Sequence, residues 1–330
     1  MTGLRIGIVG ATGAVGRELL DLLQTRAFPV GTLRLLASSR SAGTTLEFGG
    51  ETVAVEEARE EVFSELDVAL MSAGSERSRA WGRYAASRGC VVVDNSSAFR
   101  MEDDVPLVIP EINAAALRGH RNLIANPNCT TIVNAMAIAP LHRAFGLERM
   151  VVASYQAASG AGAAGLDELW QGARAILDGA APAAEVFPAP LAFNVVPLIG
   201  TAAADGGTDE EAKMGRESAK ILDLPNLEVA CTCVRVPVPR AHGVATTAWF
   251  RDLADPGDAA QVLDAAPGVR RVDLPTPDLA SGGDDVLVGR LRRAAVFDRG
   301  LSFFAVGDQV RKGAALNAIQ IAEHVISGSC

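Results

Sequence analysis

The segment that decides the fold of this chain is Leu4-Arg-Ile-Gly-Ile-Val9 together with Gly10-Ala-Thr-Gly-Ala-Val-Gly16. A short apolar run, glycines spaced G-x-x-G-x-x-G and then leucines at helical spacing predict a strand, a tight turn and a helix. Glycines let the backbone approach a pyrophosphate, which the N-terminus of a helix attracts. The stretch therefore predicts a doubly wound α/β domain of the Rossmann type. Its predicted dinucleotide contacts are Gly10, Thr12, Gly13, Ala14, Val15 and Gly16.

The ends of the next predicted strands indicate which dinucleotide binds. The second strand, about Leu33–Ala37, runs into Ser38-Ser39-Arg40, where a site for NAD usually carries an acidic residue. Hydroxyls and a guanidinium suit the 2′-phosphate of NADP, although an ordinary polar loop is the alternative. A further strand, Asp67–Met71, ends in Ser72-Ala73-Gly74, and cofactors bind at such carboxyl ends. We therefore expect NADP as the cofactor.

A later predicted strand, Val91–Val93, also runs into polar residues. Asn95-Ser-Ser-Ala-Phe-Arg100 offers an amide, two hydroxyls and a guanidinium, all of which suit an anion. A plain surface charge is the alternative for Arg100. The apolar runs Pro106–Pro110 and Leu123–Ala125 then lead the chain to residue 126.

The stretch Asn126-Pro-Asn-Cys-Thr-Thr131 carries the candidate nucleophile. Asn128 is a good N-cap, which would place Cys129 in the first turn of a helix that we expect to end at Pro140. A thiol there lies beside backbone N–H groups and the positive end of the helix dipole, and both favour the reactive thiolate. We therefore predict a nucleophile at Cys129, with a buried structural cysteine as the alternative.

Beyond this helix the pattern is that of an α+β domain with a mostly antiparallel sheet. Thr208 is predicted to start a charged helix that runs to Leu222, and Arg240, His242 and Gly243 to lie in a hairpin turn. We expect residues 1–128 and 312–330 to form the nucleotide-binding domain, and residues 129–311 to form the second domain. The predicted strands are Met150–Ala158, Leu227–Val238, Val244–Phe250, Val286–Leu291 and Leu301–Val306, and the last helix, which should pack back on the first domain, is Ala314–Ile326.

The composition excludes several classes of partner. With 330 residues, 49% of them hydrophobic and 21% charged, the chain is typical of a globular protein large enough for two domains. Its formal net charge of −9 argues against nucleic acid or an anionic membrane as a partner, and no apolar run could span a bilayer. No signal-peptide pattern opens the sequence, so we expect a soluble cytoplasmic protein. Five scattered cysteines, at 90, 129, 231, 233 and 330, predict neither a disulfide framework nor a metal site.

Six motifs in order resemble the aspartate-β-semialdehyde dehydrogenase family, over essentially the whole chain. They are Gly10–Gly16, Asn95–Arg100, Asn126–Cys129, Ser159–Gly162, the turn from Arg235 to His242, and Gly313–Asn317. The resemblance implies reversible, NADP-dependent reduction of L-aspartyl-4-phosphate to L-aspartate-4-semialdehyde with release of phosphate. This step leads toward lysine, threonine, methionine and diaminopimelate. The resemblance also implies a homodimer or homotetramer, with catalysis and dimerisation in the second domain.

The resemblance assigns a role to each candidate residue. Cys129 matches the nucleophile that forms a thioester, and His242 matches the acid/base catalyst, which we expect to titrate near neutrality. Gln156 matches an amide that orients the substrate, and Arg235 an arginine that grips the α-carboxylate. A surface ion pair is the alternative for Glu210 and Lys213. The remaining matches are Glu210 for the amino group, Lys213, Arg100 and Asn95 for the phosphate, Ser159, Gly160 and Asn317 for the nicotinamide, and Ser38, Ser39 and Arg40 for the adenosine end.

One departure from the family pattern precedes the last helix. Asp308-Gln-Val-Arg-Lys-Gly313 stands where the family commonly reads Asp-Asn-Leu-Arg-Lys-Gly, which affects the loop near the cofactor.

Two rival functions share parts of this pattern. N-acetyl-γ-glutamyl-phosphate reductase has the same fold and thioester logic, but its cysteine motif usually reads Asn-Pro-Gly-Cys-Tyr. Its acylated substrate would also leave Glu210 without a free amine to bind. A non-catalytic dinucleotide-binding relative should have lost Cys129, His242 or Arg235, and all three are present.

Overall fold

The computed structural model describes residues 3–295 and 298–328, which form two compact units. The first unit comprises the chain up to Asn128 and the segment from Ala314 onwards, and the second comprises Cys129–Gly313. Cys330 and the outermost residues of the predicted first domain lie outside the described part. Within residues 3–295 and 298–328, no helix combines the length and the apolar character needed to cross a membrane.

The first unit is built on a seven-stranded sheet in the order β3-β4-β2-β1-β5-β6-β7. All neighbours are parallel except β3 and β4, which form an antiparallel pair. The chain moves from β1 to β2 on one side and later to β5 on the other, as a doubly wound sheet does. The predicted fold class is thus confirmed. The strands are β1 (Leu4–Val9), β2 (Val30–Ala37), β3 (Thr45–Phe48), β4 (Glu51–Glu57), β5 (Val68–Met71), β6 (Val91–Asp94) and β7 (Leu123–Ala125).

Helices cover this sheet and close its core. The first, α1, buries Leu19, Leu20, Leu22 and Leu23 along one face, because residues three and four apart share a side of a helix. The helices of this part of the chain are α1 (Ala14–Thr25), α2 (Ser75–Ser87) and the short α3 (Pro110–Asn113).

The second unit contains a six-stranded mixed sheet in the order β11-β12-β13-β10-β8-β9. Three of its pairings are antiparallel, and β11–β12 and β8–β9 are parallel. In chain order the elements are α4 (Cys129–Phe145), β8 (Leu147–Gln156), α5 (Gly162–Leu177), α6 (Asp209–Leu222), β9 (Glu228–Arg235), β10 (His242–Phe250), α7 (Pro256–Asp264), β11 (Val269–Arg271), α8 (Pro277–Ala280), β12 (Val286–Arg293) and β13 (Gly300–Gly307).

Two sequence predictions for this unit are wrong. Helix α4 does not end at Pro140 but continues to Phe145, because it is buried on nearly all sides and packing outweighs the lost hydrogen bond. Strands β9 and β10 do not form a hairpin, since β8 lies between them. The six residues 236–241 are long enough to step across β8, a distance of two strand spacings or about 10 Å. His242 is consequently the first residue of β10 rather than part of a turn.

The last helix, α9 (Leu316–Ser327), returns to the first unit after a wide helical turn at Arg311–Ala315. Its residues Ile319, Ile321 and Ala322 are fully buried in the same cluster as Leu19 of α1. The final helix therefore packs against α1 in the first unit.

Candidate active site

Cys129 is the first residue of α4, a helix of 17 residues. The positive end of the helix dipole therefore favours its thiolate. Gly313 lies against it, since a Cβ at Gly313 would come 2.9 Å from the Cβ of Cys129. Cys90 differs, because burial raises the pKa of its thiol to about 12. Local electrostatics thus single out Cys129 over Cys90 as the reactive thiol.

The link from β9 to β10 brings Arg235 and His242 to the same place. It crosses the end of β8, where the N–H of Ala158 donates to the C=O of Val238 at 2.8 Å. Ala157 holds both side chains: its N–H donates to Nδ1 of His242 at 3.1 Å, and its C=O accepts from Nη1 of Arg235 at 2.7 Å. One backbone residue therefore fixes an imidazole and a guanidinium side by side.

The imidazole of His242 is fully buried, and its Nε2 has no hydrogen-bond partner among the described residues. Because Nδ1 accepts a backbone N–H, the neutral ring carries its proton on Nε2. Burial, and then the charge of Arg235, lower the pKa of His242 to about 3. The ring is therefore a neutral donor at physiological pH, not the near-neutral titrating group expected from the sequence.

Arg235 is 7% exposed, and its guanidinium lies 5.6 Å from the ring centre of Phe187. Burial lowers its pKa, while nearby Cys129 and Glu210 raise it. A Cβ at Gly160 would lie 2.6 Å from Nη1 of Arg235 and 3.2 Å from Nε2 of His242. Any side chain larger than that of glycine at position 160 would therefore collide with the guanidinium and press on the imidazole.

Gln156, Glu210 and Lys213 form a connected polar group in the second unit. Nε2 of Gln156 donates to Oγ of Ser154 at 3.2 Å and to Oε1 of Glu210 at 3.4 Å. Nζ of Lys213 lies 3.1 Å from Oε2 of Glu210 and 2.7 Å from Oδ2 of Asp209. Burial lowers the pKa of Lys213, but these two carboxylates raise it by more, so the ammonium stays charged.

The glycine turn of the first unit has the shape that a pyrophosphate requires. Gly10 has a φ of +90°, and a Cβ there would collide with the C=O of Ser72. A Cβ at Gly16 would in turn collide with the C=O of Gly10. The turn after β1 and the end of β5 therefore meet at the point where the strand order reverses, and the backbone is open to a dinucleotide. Ser38, Ser39 and Arg40 follow β2 at the same edge of the sheet, as do Thr12, Ala73 and Gly74 after β1 and β5.

A second polar network of the first unit contains Asn95, Arg100 and Asn317. Arg100 donates from Nε to the C=O of Asn126 at 2.9 Å and from Nη2 to the C=O of Asn95 at 2.8 Å. Nδ2 of Asn126 donates to Oδ1 of Asn95 at 2.8 Å, and Nδ2 of Asn317 donates to Oδ1 of Asn126 at 2.6 Å. These bonds hold the guanidinium in one orientation and tie α9 to the ends of β6 and β7.

Comparisons with known proteins agree on one family. Residues 5–120 match the NAD binding domain of semialdehyde dehydrogenases, and residues 138–312 match their dimerisation domain. The aspartate-semialdehyde dehydrogenase of Synechocystis is 48% identical, over 98% of this chain and 97% of its own length. This chain belongs to the aspartate-semialdehyde dehydrogenase family. The Bacillus subtilis aspartate-semialdehyde dehydrogenase is 42% identical over 97% of each chain.

Solved structures of aspartate-semialdehyde dehydrogenases share the fold closely. Aspartate semialdehyde dehydrogenase II from Vibrio cholerae has a TM-score of 0.97 at 44% identity, covering 98% of this chain and 99% of that chain. A structure of the same enzyme described as complexed with ASA also has a TM-score of 0.97, at 43% identity and 99% coverage of both chains. Membership of this family makes the chain an oxidoreductase.

Several residues that organise the site of this aspartate-semialdehyde dehydrogenase family member escaped sequence reasoning. Ala157 and Ser154 were not predicted, because they act through backbone groups or through bonds to other side chains. Asn126 had a local signal, since it opens the Asn-Pro-Asn stretch before Cys129.

Proposed function

We propose that this chain converts L-aspartyl-4-phosphate to L-aspartate-4-semialdehyde with NADPH, reversibly and with release of phosphate. The observation that carries the proposal is the joint placement of His242 and Arg235 on Ala157, in the unit that also holds Cys129 at a helix N-terminus. Together these three residues provide the nucleophile, the proton donor and the carboxylate-binding group that the proposed reaction uses.

The reaction that we propose begins at Cys129. Its thiolate attacks the acyl carbon, the bond from that carbon to the phosphate oxygen breaks, and a thioester forms as phosphate leaves. Bound NADPH would supply the hydride that reduces the thioester. We assign Nε2–H of His242 to donate to the oxygen that becomes negative in this step. Cleavage of the carbon–sulfur bond then releases the aldehyde and restores the thiolate.

The other side chains bind and orient the substrate in this proposal. Arg235 pairs with the α-carboxylate through its planar guanidinium, and Glu210 accepts from the α-amino group. Gln156, held by Ser154 and Glu210, orients the acyl group. We assign the phosphate to Lys213, Arg100 and Asn95.

The cofactor that we propose is NADP. The glycine turn Gly10–Gly16 would hold its pyrophosphate. What supports this assignment is that a Cβ at Gly10 or Gly16 would clash with neighbouring backbone, so this tight turn requires glycine at both positions. Hydroxyls and a guanidinium after β2 suit its 2′-phosphate. The full set of assigned contacts is Gly10, Thr12, Gly13, Ala14, Val15, Gly16, Ser38, Ser39, Arg40, Ser72, Ala73, Gly74, Ser159, Gly160 and Asn317.

We assign nucleotide binding to residues 1–128 and 312–330, and catalysis and dimerisation to residues 129–311. The match to a dimerisation domain supports a homodimer, and a homotetramer would be a pair of such dimers. We place the reaction in the cytoplasm, where NADPH and amino-acid acyl phosphates are available.

The decisive assay runs the reaction backwards. Aspartate semialdehyde, phosphate and NADP should produce NADPH absorbance, and NAD should give a lower rate. Turnover should require phosphate and stop when one thiol is alkylated. No turnover with this aldehyde, but turnover with the semialdehyde of N-acetylglutamate, would keep the thioester chemistry and overturn the substrate.

A further inference from the structure

The segment 308–313 is where this chain departs from the family pattern, and in the second unit it contacts several parts of the site. Gly313 lies against Cys129, as described above. Asp308 is fully buried, and its Oδ2 accepts from Nε of Arg240 and from the N–H of Gly282, both at 2.6 Å. Gln309 follows it, 3% exposed.

The amide of Gln309 bridges two loops. Its Oε1 accepts from the N–H of Ala241 at 2.7 Å, and its Nε2 donates to Oγ of Ser159 at 2.5 Å. Ala241 is the residue before His242, and Ser159 is the residue before Gly160. Gln309 is thus bonded to the two residues that directly precede His242 and Gly160 in the chain.

The backbone of Ala241 needs such support. Its φ of +71° is in the left-handed region, which costs a non-glycine residue roughly 1–2 kcal/mol. Ala241 is fully buried, so its N–H cannot bond to bulk water. Asp308 holds the side chain of Arg240 and Gln309 holds the N–H of Ala241, so two consecutive residues fix the entry to β10.

We propose that Gln309 is a positioning residue, whose amide sets the separation of the His242 ring from the Ser159–Gly160 turn. The inference deepens the proposed function and rests on it for its catalytic consequence. An asparagine at 309 is shorter by one methylene, or about 1.5 Å. From the same backbone it could keep one of the two bonds but not both. Misplacing a reacting group by about 1 Å can cost up to about 100-fold in rate.

The test compares Gln309→Asn with Gln261→Asn, which makes the same chemical change on the exposed surface of α7. We expect Gln309→Asn to lower kcat for aspartate semialdehyde about tenfold or more, with KM changed less than threefold. The isosteric Gln309→Met, which keeps the volume and loses both bonds, should be impaired at least as much. Gln261→Asn should match the wild type in both constants.

A second readout does not depend on turnover. Histidine NMR signals followed from pH 8 to pH 5, with His242 assigned by its loss in His242→Asn, should show no titration of His242 in the wild type. In Gln309→Asn the loosened ring should admit water and begin to titrate, because burial is the main cause of its low pKa. Arg235 faces the ring both in the wild type and in Gln309→Asn, so its charge lowers the pKa of His242 equally in the two proteins.

The outcomes separate the two proposals. A wild-type kcat in Gln309→Asn, or lost activity and a lower melting temperature with no change in the His242 titration, would overturn the positioning role. Absence of turnover in the wild type would overturn the proposed substrate, and the NMR comparison alone would then decide the role of Gln309.

Discussion

Cys129 and Cys90 allow a direct test of the nucleophile at the scale of one atom. Replacing sulfur by oxygen in Cys129→Ser should lower turnover by several orders of magnitude, because a serine hydroxyl ionises far less readily than a thiol. Binding of NADP should remain, since its proposed contacts do not include this side chain. The measurements are kcat in the phosphate-dependent assay and the Kd of NADP by fluorescence.

Cys90→Ala is the control for Cys129→Ser, because the Cys90 thiol is buried and its pKa is raised. A Cys129→Ser variant with more than about 10% of wild-type kcat would remove the thioester from the mechanism.

In the proposed mechanism Arg235 has two tasks, and lysine could perform only one of them. Its Nη1 already donates to the C=O of Ala157, so a planar guanidinium is required to bind a carboxylate with its other N–H groups. Arg235→Lys should therefore raise KM for aspartate semialdehyde about 10- to 100-fold, with a smaller loss in kcat. Steady-state kinetics test this, with the exposed Arg83→Lys as the matched control. Unchanged KM and kcat would exclude Arg235 from the site.

At the residue scale, the residues that could be predicted from the sequence are those whose own side chains are reactive or charged. Cys129 was selected from its place at a predicted helix N-terminus, whereas Arg235 and His242 were selected through the family resemblance. The low pKa of His242 could not be predicted, because it follows from the burial of the ring. That burial depends on the path of the link from β9 to β10 across the end of β8, which the sequence does not show. Ala157 has no side-chain chemistry, so no pattern could have indicated that it holds two site residues.

At the scale of elements, the start of α6 carries Glu210 and Lys213, two of the residues that we propose bind the substrate. Oγ1 of Thr208 accepts from the N–H of Glu211 at 3.2 Å, and Oε2 of Glu211 accepts from the N–H of Thr208 at 2.9 Å. Oε1 of Glu211 also accepts from the N–H of Cys233 at 3.0 Å, so the same carboxylate ties α6 to β9. Glu210 and Lys213 lie in and just after this capped turn.

Thr208→Ala should loosen that turn. Loss of an N-cap costs about 1 kcal/mol, which corresponds to a melting temperature lower by about 1–2 °C for a protein of this size. KM for aspartate semialdehyde should rise more than kcat falls, since Glu210 and Lys213 lose their fixed positions. Thermal unfolding and steady-state kinetics measure both effects. The control is Thr276→Ala at the start of α8, where the side chain makes no capping bond to the backbone of the helix. Equal effects of the two substitutions would contradict a role for this cap in binding.

Elements were predictable where local chemistry decides them and not where packing does. Thr208 and Glu211 show the cap pattern in the sequence, and α6 begins where that pattern places it. Pro140 predicts a helix end, but the buried surroundings of α4 override it. Alternating residues identify β9 and β10 as strands without showing that β8 separates them, because neighbours in a sheet depend on contacts distant in sequence.

At the scale of the whole molecule, the two faces of the sheet in the second unit differ, since one carries candidate site residues and the other exposes apolar side chains. Gln156 and Arg235 are paired across β8 and β9, and both are buried on the inner face together with Ser154. Successive residues of a strand point to opposite faces, so Val151 and Tyr155 of β8 lie on the other side. They are 48% and 41% exposed, and Trp249 and Ala230 line a cavity on the same side. An apolar sheet face of this kind in a dimerisation domain is suited to cover a second copy.

Val151→Glu should therefore weaken the homodimer. A carboxylate in the middle of that face would lose its hydration on association without gaining a partner, which raises the dimer Kd about 100-fold or more. Sedimentation at a series of protein concentrations measures this change. Leu274→Glu is the matched control, because Leu274 is 66% exposed in a loop of the same unit outside the sheet. Since Val151 points away from Gln156 and Arg235, any activity that Val151→Glu loses should return at protein concentrations that restore the dimer. A Val151→Glu protein that dissociates no more readily than the control would show that subunits associate through another surface.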